Sequence, residues 1–244
     1  MYQNSYNKNG YLYLPKFITE KELELIELIL DNFHKQWLIK YEQDYKKGLI
    51  NSHSLTSSPF ITIQERLALF QFITQTKLMD IVKSIFPDKA KFLNTQLFFD
   101  PYHREQKNYW HRDIQYTGLS IEEQQEKIKT ENVVHFRIPL KKENGIEIIP
   151  SSHRLWDSPI EEDTRLSQHG RHPSDALERG QVINLNRGDL FIFSANSIHR
   201  GLYGDERFSF DIIYCDDTPA FNAFIDPKNQ PTEEELILLN NSVF

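Results

Sequence analysis

The sequence predicts a mainly β fold with flanking α-helices, and three observations carry that prediction. Apolar residues recur at helical spacing up to about residue 90, then alternate with period 2 to about residue 216. No Pro/Gly-rich or single-sign linker interrupts the 244 residues, so one domain over 1–244 is expected, a length that β-sandwiches and barrels reach undivided. The ratio of 39% hydrophobic to 26% charged residues is that of a globular chain.

Taken in order, Gly10-Tyr11-Leu12-Tyr13-Leu14-Pro15 reads as a short extended segment. Thr19 and Glu22 then have capping-box spacing, with Ile18 and Leu23 placed as a hydrophobic staple. Leu23, Ile26, Leu30, Phe33 and Trp37 form one helical face, which should pack on the core. Residues 45–61, with Gly48 and Pro59 among several serines, read as a loop. A second helix over Leu78, Ile81, Val82 and Ile85 should end near Pro87. The strand Phe92–Phe99 places Asn94 and Gln96 on one face and Thr95 and Leu97 on the other.

Beyond it, the charged segment 120–129 reads as a solvated surface helix rather than a moving lid. The strand 133–140 sets His135 and Arg137 opposite Val134, Phe136 and Ile138. Gly145 marks a turn before a short strand at 146–149. Residues 154–180 form a long polar stretch carrying Arg165, His169, Arg171, His172 and Arg179, and loops of that length are functional or disordered. Strands are expected at 181–185, 189–193 and 207–214, the first two separated by Asn186-Arg187-Gly188. The tail 231–239 has the start signals of a short terminal helix.

Composition excludes several function classes. No apolar run is long enough to span a bilayer, and the N-terminus from Met1 has no basic region followed by an apolar one. A cytoplasmic location is the expectation, with no membrane partner. Cys215 is the sole cysteine, which rules out an internal disulfide or a thiolate-rich zinc site and leaves it as a small buried hydrophobe. A net charge of −7 argues against broad nucleic-acid binding while leaving room for a local basic pocket. Nothing in the residues sets an oligomeric state.

The stretch Tyr109-Trp110-His111-Arg112-Asp113-Ile114 carries the chemistry. In a strand His111 and Asp113 point from one face toward a shared point. A chain with nine His meets His-x-Asp by chance often enough that the pair alone decides nothing. His103-Arg104-Glu105 has equivalent spacing, but it sits in a polar, Pro-containing loop and is the weaker candidate. His199 supplies a third donor. Two His and one carboxylate on one side of an octahedral ion, the other positions open, is the arrangement of non-haem Fe(II) oxygenases. His135 and Arg137 are either solvent-exposed or line a pocket for an anionic substrate. Asn94 joins them as a candidate substrate contact.

The order of several markers resembles the phytanoyl-CoA dioxygenase family of Fe(II)- and 2-oxoglutarate-dependent oxygenases. They are Gly10-Tyr11, Trp110-His111-Arg112-Asp113, Asn144-Gly145, Pro150-Ser151-Ser152-His153-Arg154, Gly188-Asp189, His199 and Arg207, and they span nearly the whole chain. The resemblance implies a double-stranded β-helix, a cupin-like jelly roll, over about 90–216, with helices before it and a tail helix after. It implies His111, Asp113 and His199 as ligands of Fe(II), and Arg207 as the partner of the distal carboxylate of 2-oxoglutarate. His153 falls at a position the family does not use as a ligand. Two departures stand out. Ser151 occupies a position commonly Gly, and acidic Asp100 stands near where some members carry a basic cosubstrate contact.

Residue chemistry is consistent with that assignment. Arg207 offers a planar fork to a carboxylate. Ser209 shares its strand face as a hydroxyl donor opposite Phe208, Phe210 and Ile212, and Gln96 is a further candidate cosubstrate contact. The implied reaction consumes dioxygen and 2-oxoglutarate, releases succinate and carbon dioxide, and hydroxylates an anionic or polar small molecule. Halogenation is not expected, because Asp113 is present. A coenzyme A thioester, a free amino acid, a compatible solute or a natural-product intermediate all remain open as substrates. Two rivals stand beside this reading: a non-oxidative cupin-like isomerase or epimerase, which has no need for Arg207, and a binding module without chemistry.

Overall fold

A computed structural model describes residues 2–86, 88–239 and 243–244; Met1 and Pro87 fall outside them. In chain order the elements are α1 (Tyr2–Asn9), β1 (Tyr11–Leu14), α2 (Glu20–Lys40), α3 (Glu42–Lys46), β2 (Ser52–Ser54), α4 (Ile63–Ile73) and α5 (Thr76–Ile85). There follow β3 (Ala90–Phe99), α6 (Ile121–Thr130), β4 (Val133–Pro139), β5 (Glu143–Ile148), α7 (Pro159–Arg165) and β6 (Gln181–Leu185). The chain ends with β7 (Leu190–Ser194), β8 (His199–Gly201), β9 (Phe208–Asp216), α8 (Pro219–Asn222) and α9 (Glu233–Leu236).

The strands pair antiparallel in two sheets. Among the described residues the larger has the order β1-β7-β4-β9-β3-β2 and the smaller β6-β5-β8. The larger sheet does not close on itself, and together the two form the jelly roll with helices outside. Period 2 decides what each face meets. Along β9, Phe208, Phe210, Ile212 and Tyr214 join the helical core, while Ser209, Asp211 and Ile213 lie on the other face. That second face looks toward the smaller sheet, whose Ile146, Ile148 and Leu185 pack with Phe191 and Phe193 of β7.

The helices cover the outer face of the larger sheet. Thr19 closes a capping box with Glu22 at the start of α2, and Leu23, Ile26, Leu30, Phe33 and Trp37 are fully buried, as their spacing predicts. Fully burying one such side chain contributes about 1.5–3 kcal/mol, so this face alone ties α2 to the sheet. From α5, Leu78, Ile81, Val82 and Ile85 enter the same core. The tail helix forms as α9 behind a Thr232–Glu235 capping box.

Several local expectations are corrected. The stretch 45–61 holds the end of α3 and the short strand β2. α4 was not foreseen: Leu69, Phe70, Phe72 and Ile73 are all buried, so its apolar side is too wide to show helical spacing, although Thr62 and Glu65 form a capping box. The stretch 154–180 contains α7, begun by Ser158, Pro159 and Glu161. Gly145 lies inside β5 rather than in a turn. It sits at a register shift against β6 with φ +84°, where a Cβ would come within 1.9 Å of the Ile183 carbonyl oxygen.

One prediction follows from the packing of α2. His34 sits against Trp37, Phe99 and Phe208. Burial, with the charge of Lys141, pushes its pKa down to about 4 from 6.5. A depressed folded-state pKa means the unfolded chain takes up the proton first, so this penalty is absent above pH 6.5 and grows as pH falls toward 4. His153, buried, with its pKa also pushed down to about 4, adds to it. The urea midpoint should fall across that window, by the equivalent of roughly 2–3 kcal/mol for His153 alone. A His34→Phe variant should show a shallower fall, and an unchanged slope would refute the assignment.

Candidate active site

The two sheets meet where backbone pairing sets His111 beside His199. His111 N–H donates to the His199 carbonyl at 2.9 Å, and His199 N–H returns a bond to the His111 carbonyl at 3.0 Å. Residues 109–112 do not form the regular strand expected, and Asp113 opens a 3₁₀ turn. The period-2 argument survives locally because Arg112 is extended, at φ −118° and ψ 140°. His111 and Asp113 therefore emerge on one side and Arg112 on the other.

One ligand-type atom from each of His111, Asp113 and His199 lies within 4.8 Å of the others. Asp113 Oδ1 is 3.4 Å from His111 Nε2 and 3.7 Å from His199 Nε2. Each ring is set by its far nitrogen: His111 Nδ1 donates to the Tyr109 carbonyl at 3.1 Å and His199 Nδ1 to the Ser197 carbonyl at 2.9 Å. That tautomer leaves both Nε2 lone pairs facing Asp113. Burial, with the His111 ring alongside, pushes His199 down to about 3. Burial would raise the Asp113 carboxyl, but the His111 and His135 imidazoles against it hold it well below the usual range. A neutral imidazole beside an ionised carboxylate is the donor state a divalent cation requires, and this set fits one.

The second oxygen of Asp113 is also held. His135 Nε2 donates to it at 2.9 Å, and His135 Nδ1 donates to Asp211 Oδ2 at 3.0 Å. Asp211 is gripped in turn by Arg137, Nε at 2.7 Å and Nη2 at 3.0 Å, because β4 pairs with β9 in a register that sets Arg137 opposite Asp211. Burial works against a charged imidazole at His135, yet bonds to two carboxylates outweigh it and lift its pKa to about 9. His135 and Arg137 do line the cavity, but they are engaged with carboxylates of the protein rather than open to an anionic substrate.

Arg207 is different. Its guanidinium lies 5.2 Å from the centre of the Phe98 ring, with the Arg137 guanidinium 4.6 Å from the same ring. Burial and the Arg137 charge both disfavour its protonated form, and Glu143 stands 4.0 Å away. Among the described residues, Nε of Arg207 and Nη1 of Arg137 are buried polar atoms without a hydrogen-bond partner. Two orphaned guanidinium nitrogens beside one cavity suit a carboxylate-bearing cosubstrate. Gly201 makes the seat: a Cβ there would lie 2.7 Å from Arg207 Nη2. Asp100 fixes the approach, accepting from Gly204 N–H at 2.7 Å and Arg207 N–H at 3.1 Å. Its acidity serves the turn before Arg207, not the cosubstrate.

The remaining candidates divide. Gln96 lines the cavity. Ser209 does not: its hydroxyl donates to Glu143 at 2.7 Å and is fully covered. Asn94 does not either: it shares the Gln96 face, in register with Ile213, but its side chain accepts from Ser54 at 2.8 Å, while Leu93, the extra residue of a bulge, lines the cavity. The cations of the 154–180 stretch lie elsewhere, Arg165 on Asp157, Arg171 on Thr164 and Arg179 on Glu161. Asp211, Glu143 and Phe98 were not singled out from the sequence. Asp211 alone had a signal, an acid two residues beyond Ser209 on the inward face.

The cavity has a volume of about 670 Å³. No helix among the described residues is long and apolar enough to cross a membrane. A family model for phytanoyl-CoA dioxygenase matches residues 6–202. A sequence comparison with curated proteins finds no match. Among solved structures, EctD from S. alaskensis with bound Fe is 14% identical at a TM-score of 0.56, covering 87% of this chain and 74% of its own. AviO1 from Streptomyces viridochromogenes Tue57 is 14% identical at 0.56, covering 94% and 95%. The epimerase SnoN, solved with Fe3+, alpha ketoglutarate and nogalamycin RO, is 15% identical at 0.56, covering 94% and 90%. A further EctD structure holds 2-oxoglutarate and 5-hydroxyectoine.

Proposed function

Because the chain belongs to the phytanoyl-CoA dioxygenase family, we propose that it is an Fe(II)- and 2-oxoglutarate-dependent oxygenase that hydroxylates a small molecule. The observation that carries this reading is the convergence of His111, Asp113 and His199 beside the one cavity arginine fork, Arg207, whose charge no carboxylate closely pairs among the described residues. Fe(II) would be held by those three residues and would supply the oxygen chemistry when bound.

The chain's own residues do the rest. Tyr109 and Ser197 carbonyls fix the two imidazoles, and His135 fixes the free oxygen of Asp113, so the three donors are preorganised. Arg207 would receive the distal carboxylate of 2-oxoglutarate, with Nη1 of Arg137 as a second donor and Gln96 beside them. Phe98 and Phe193 flank the arginines and exclude water, which strengthens each charge-assisted bond.

Anaerobic addition of Fe(II) and 2-oxoglutarate to the purified chain should give the visible charge-transfer band of a chelated keto acid. Arg207→Ala should raise the 2-oxoglutarate concentration needed about 30-fold, equivalent to about 2 kcal/mol for a truncated buried charge partner. A normal band at unchanged concentration would favour a non-oxidative isomerase on the same scaffold. SnoN is an epimerase on a similar fold, so the outcome is read from the product. Hydroxylation transfers one atom of labelled dioxygen to it, whereas epimerisation does not.

A further inference from the structure

We propose that the substrate part of this cavity takes an uncharged, largely apolar, ring-sized molecule and rejects anions, coenzyme A thioesters included. The inference rests on the oxygenase reading in one respect, that 2-oxoglutarate occupies Arg207. Among the described residues every other cation lining the cavity already faces a carboxylate, and the orphaned Nη1 of Arg137 is taken by 2-oxoglutarate in that reading. Arg137 is held bidentate by Asp211, and His135 lies between Asp113 and Asp211. Lys127 Nζ lies 2.6 Å from Glu131 Oε1, and both residues line the cavity. An anion that drew Lys127 away would face the Glu131 carboxylate left behind.

Helix α6, which carries that pair, is fixed in place. Arg154 donates to the carbonyls of Ile128 and Glu131 at 3.2 and 3.3 Å, and Asn196 donates to the Glu131 carbonyl at 2.9 Å. These bonds hold its C-terminal end against a rearrangement that would part Lys127 from Glu131. The apolar walls left to a substrate are Leu93, Leu119, Ile213, Ala220, Phe221 and Phe224, the last three contributed by α8 and the residues after it, with the uncharged Tyr109 and Tyr116 against His111. The whole cavity, with the metal-ligand and Arg207 ends included, is about 670 Å³, within the range of small-molecule sites, and the part with such walls has room for a ring-sized molecule. A phosphate or carboxylate placed there would lose its hydration without gaining a free cation.

Two fluorescent probes with the same ring body test this, the neutral N-phenyl-1-naphthylamine and its sulfonated relative 8-anilino-1-naphthalenesulfonate. Both are titrated into the full chain with Zn(II) and saturating 2-oxoglutarate. The neutral probe should bind at least about tenfold more tightly, the cost of desolvating an unpaired sulfonate. Phe221→Ala, a change in a short surface helix, should weaken the neutral probe several-fold, and Leu93→Arg should reverse the preference. Equal or tighter binding of the sulfonate by the unaltered chain overturns the proposal, as does a neutral-probe affinity indifferent to both substitutions. These outcomes are independent of the charge-transfer band: a normal band with sulfonate preference sinks the substrate class and leaves the oxygenase reading standing.

Discussion

Asp113→Ala is expected to abolish Fe(II) binding and with it the charge-transfer band, while His135→Phe lowers metal affinity about 10- to 100-fold without removing a donor atom. The two effects differ because the two residues do different work. Asp113 offers one oxygen to the space between His111 and His199, at 3.4 and 3.7 Å from their Nε2 atoms. Its other oxygen is claimed by His135 at 2.9 Å. Without that bond the carboxylate is free to rotate, and both its orientation and its ionised state lose support. His135→Gln, which restores one donor, should recover part of the loss. Asp211→Asn should fall between the two, since it weakens the grip on His135 and leaves Arg137 without its bidentate partner. Isothermal titration with Co(II), together with its visible d–d spectrum, separates a site that binds in altered geometry from one that does not bind. Equal affinity for the unaltered chain and His135→Phe would show that this chain of bonds is structural only.

How much of this was legible in the residues depended on whether the determining contact is local. The α2 start was readable because Thr19 and Glu22 bond each other across three positions. The His111–Asp113 pair was readable because two residues of extended backbone suffice to bring both side chains to one side. Gln96 and Arg207 both line the cavity, Gln96 from the inward face of β3 and Arg207 from just before β9. Asn94 keeps the Gln96 face, in register with Ile213, yet does not reach the cavity because its side chain is taken up by Ser54 of β2, a partner 40 positions away. Ser209 keeps the expected face but is covered by Glu143 from another strand. His135 and Arg137 were read as possible anion contacts since their partner, Asp211, is 74 or more positions away. Position 151, commonly Gly in the family, shows the reverse. Ser151 sits at φ +65°, a left-handed conformation that Gly adopts freely, so that preference was a readable backbone requirement.

The largest effect on stability is expected from Arg112→Ala, at about 3–5 kcal/mol, because it removes one of the two partners of a buried carboxylate and leaves three backbone carbonyls without their guanidinium donor. Arg112 points away from the metal-ligand side into a fully buried site. Its Nε bonds Asp157 at 2.8 Å, and its terminal nitrogens donate to the carbonyls of Ser152 and Leu155 at 2.8 Å and to that of Asn196. The Asp157 side chain is fully buried and also takes Arg165 Nε at 2.7 Å. One guanidinium therefore joins the ligand pair 111/113, the turn at 152–157 and the segment leading into His199. Arg112→Lys keeps the charge but loses the planar fork, so it should recover only part of the loss. Arg165→Ala removes the other partner of Asp157 and should cost less, because Arg165 bonds only that carboxylate and the Gln115 side chain and leaves no backbone carbonyl without a donor. Urea unfolding at pH 7 ranks the three, and the ranking carries a second expectation. Arg112 sits between His111 and Asp113 in the chain, so Arg112→Lys should weaken Co(II) binding even in protein that remains folded, whereas Arg165→Ala should leave it nearly unchanged. Equal metal affinity in both variants would mean that the extended backbone at residue 112 is held by the His111–His199 pairing alone.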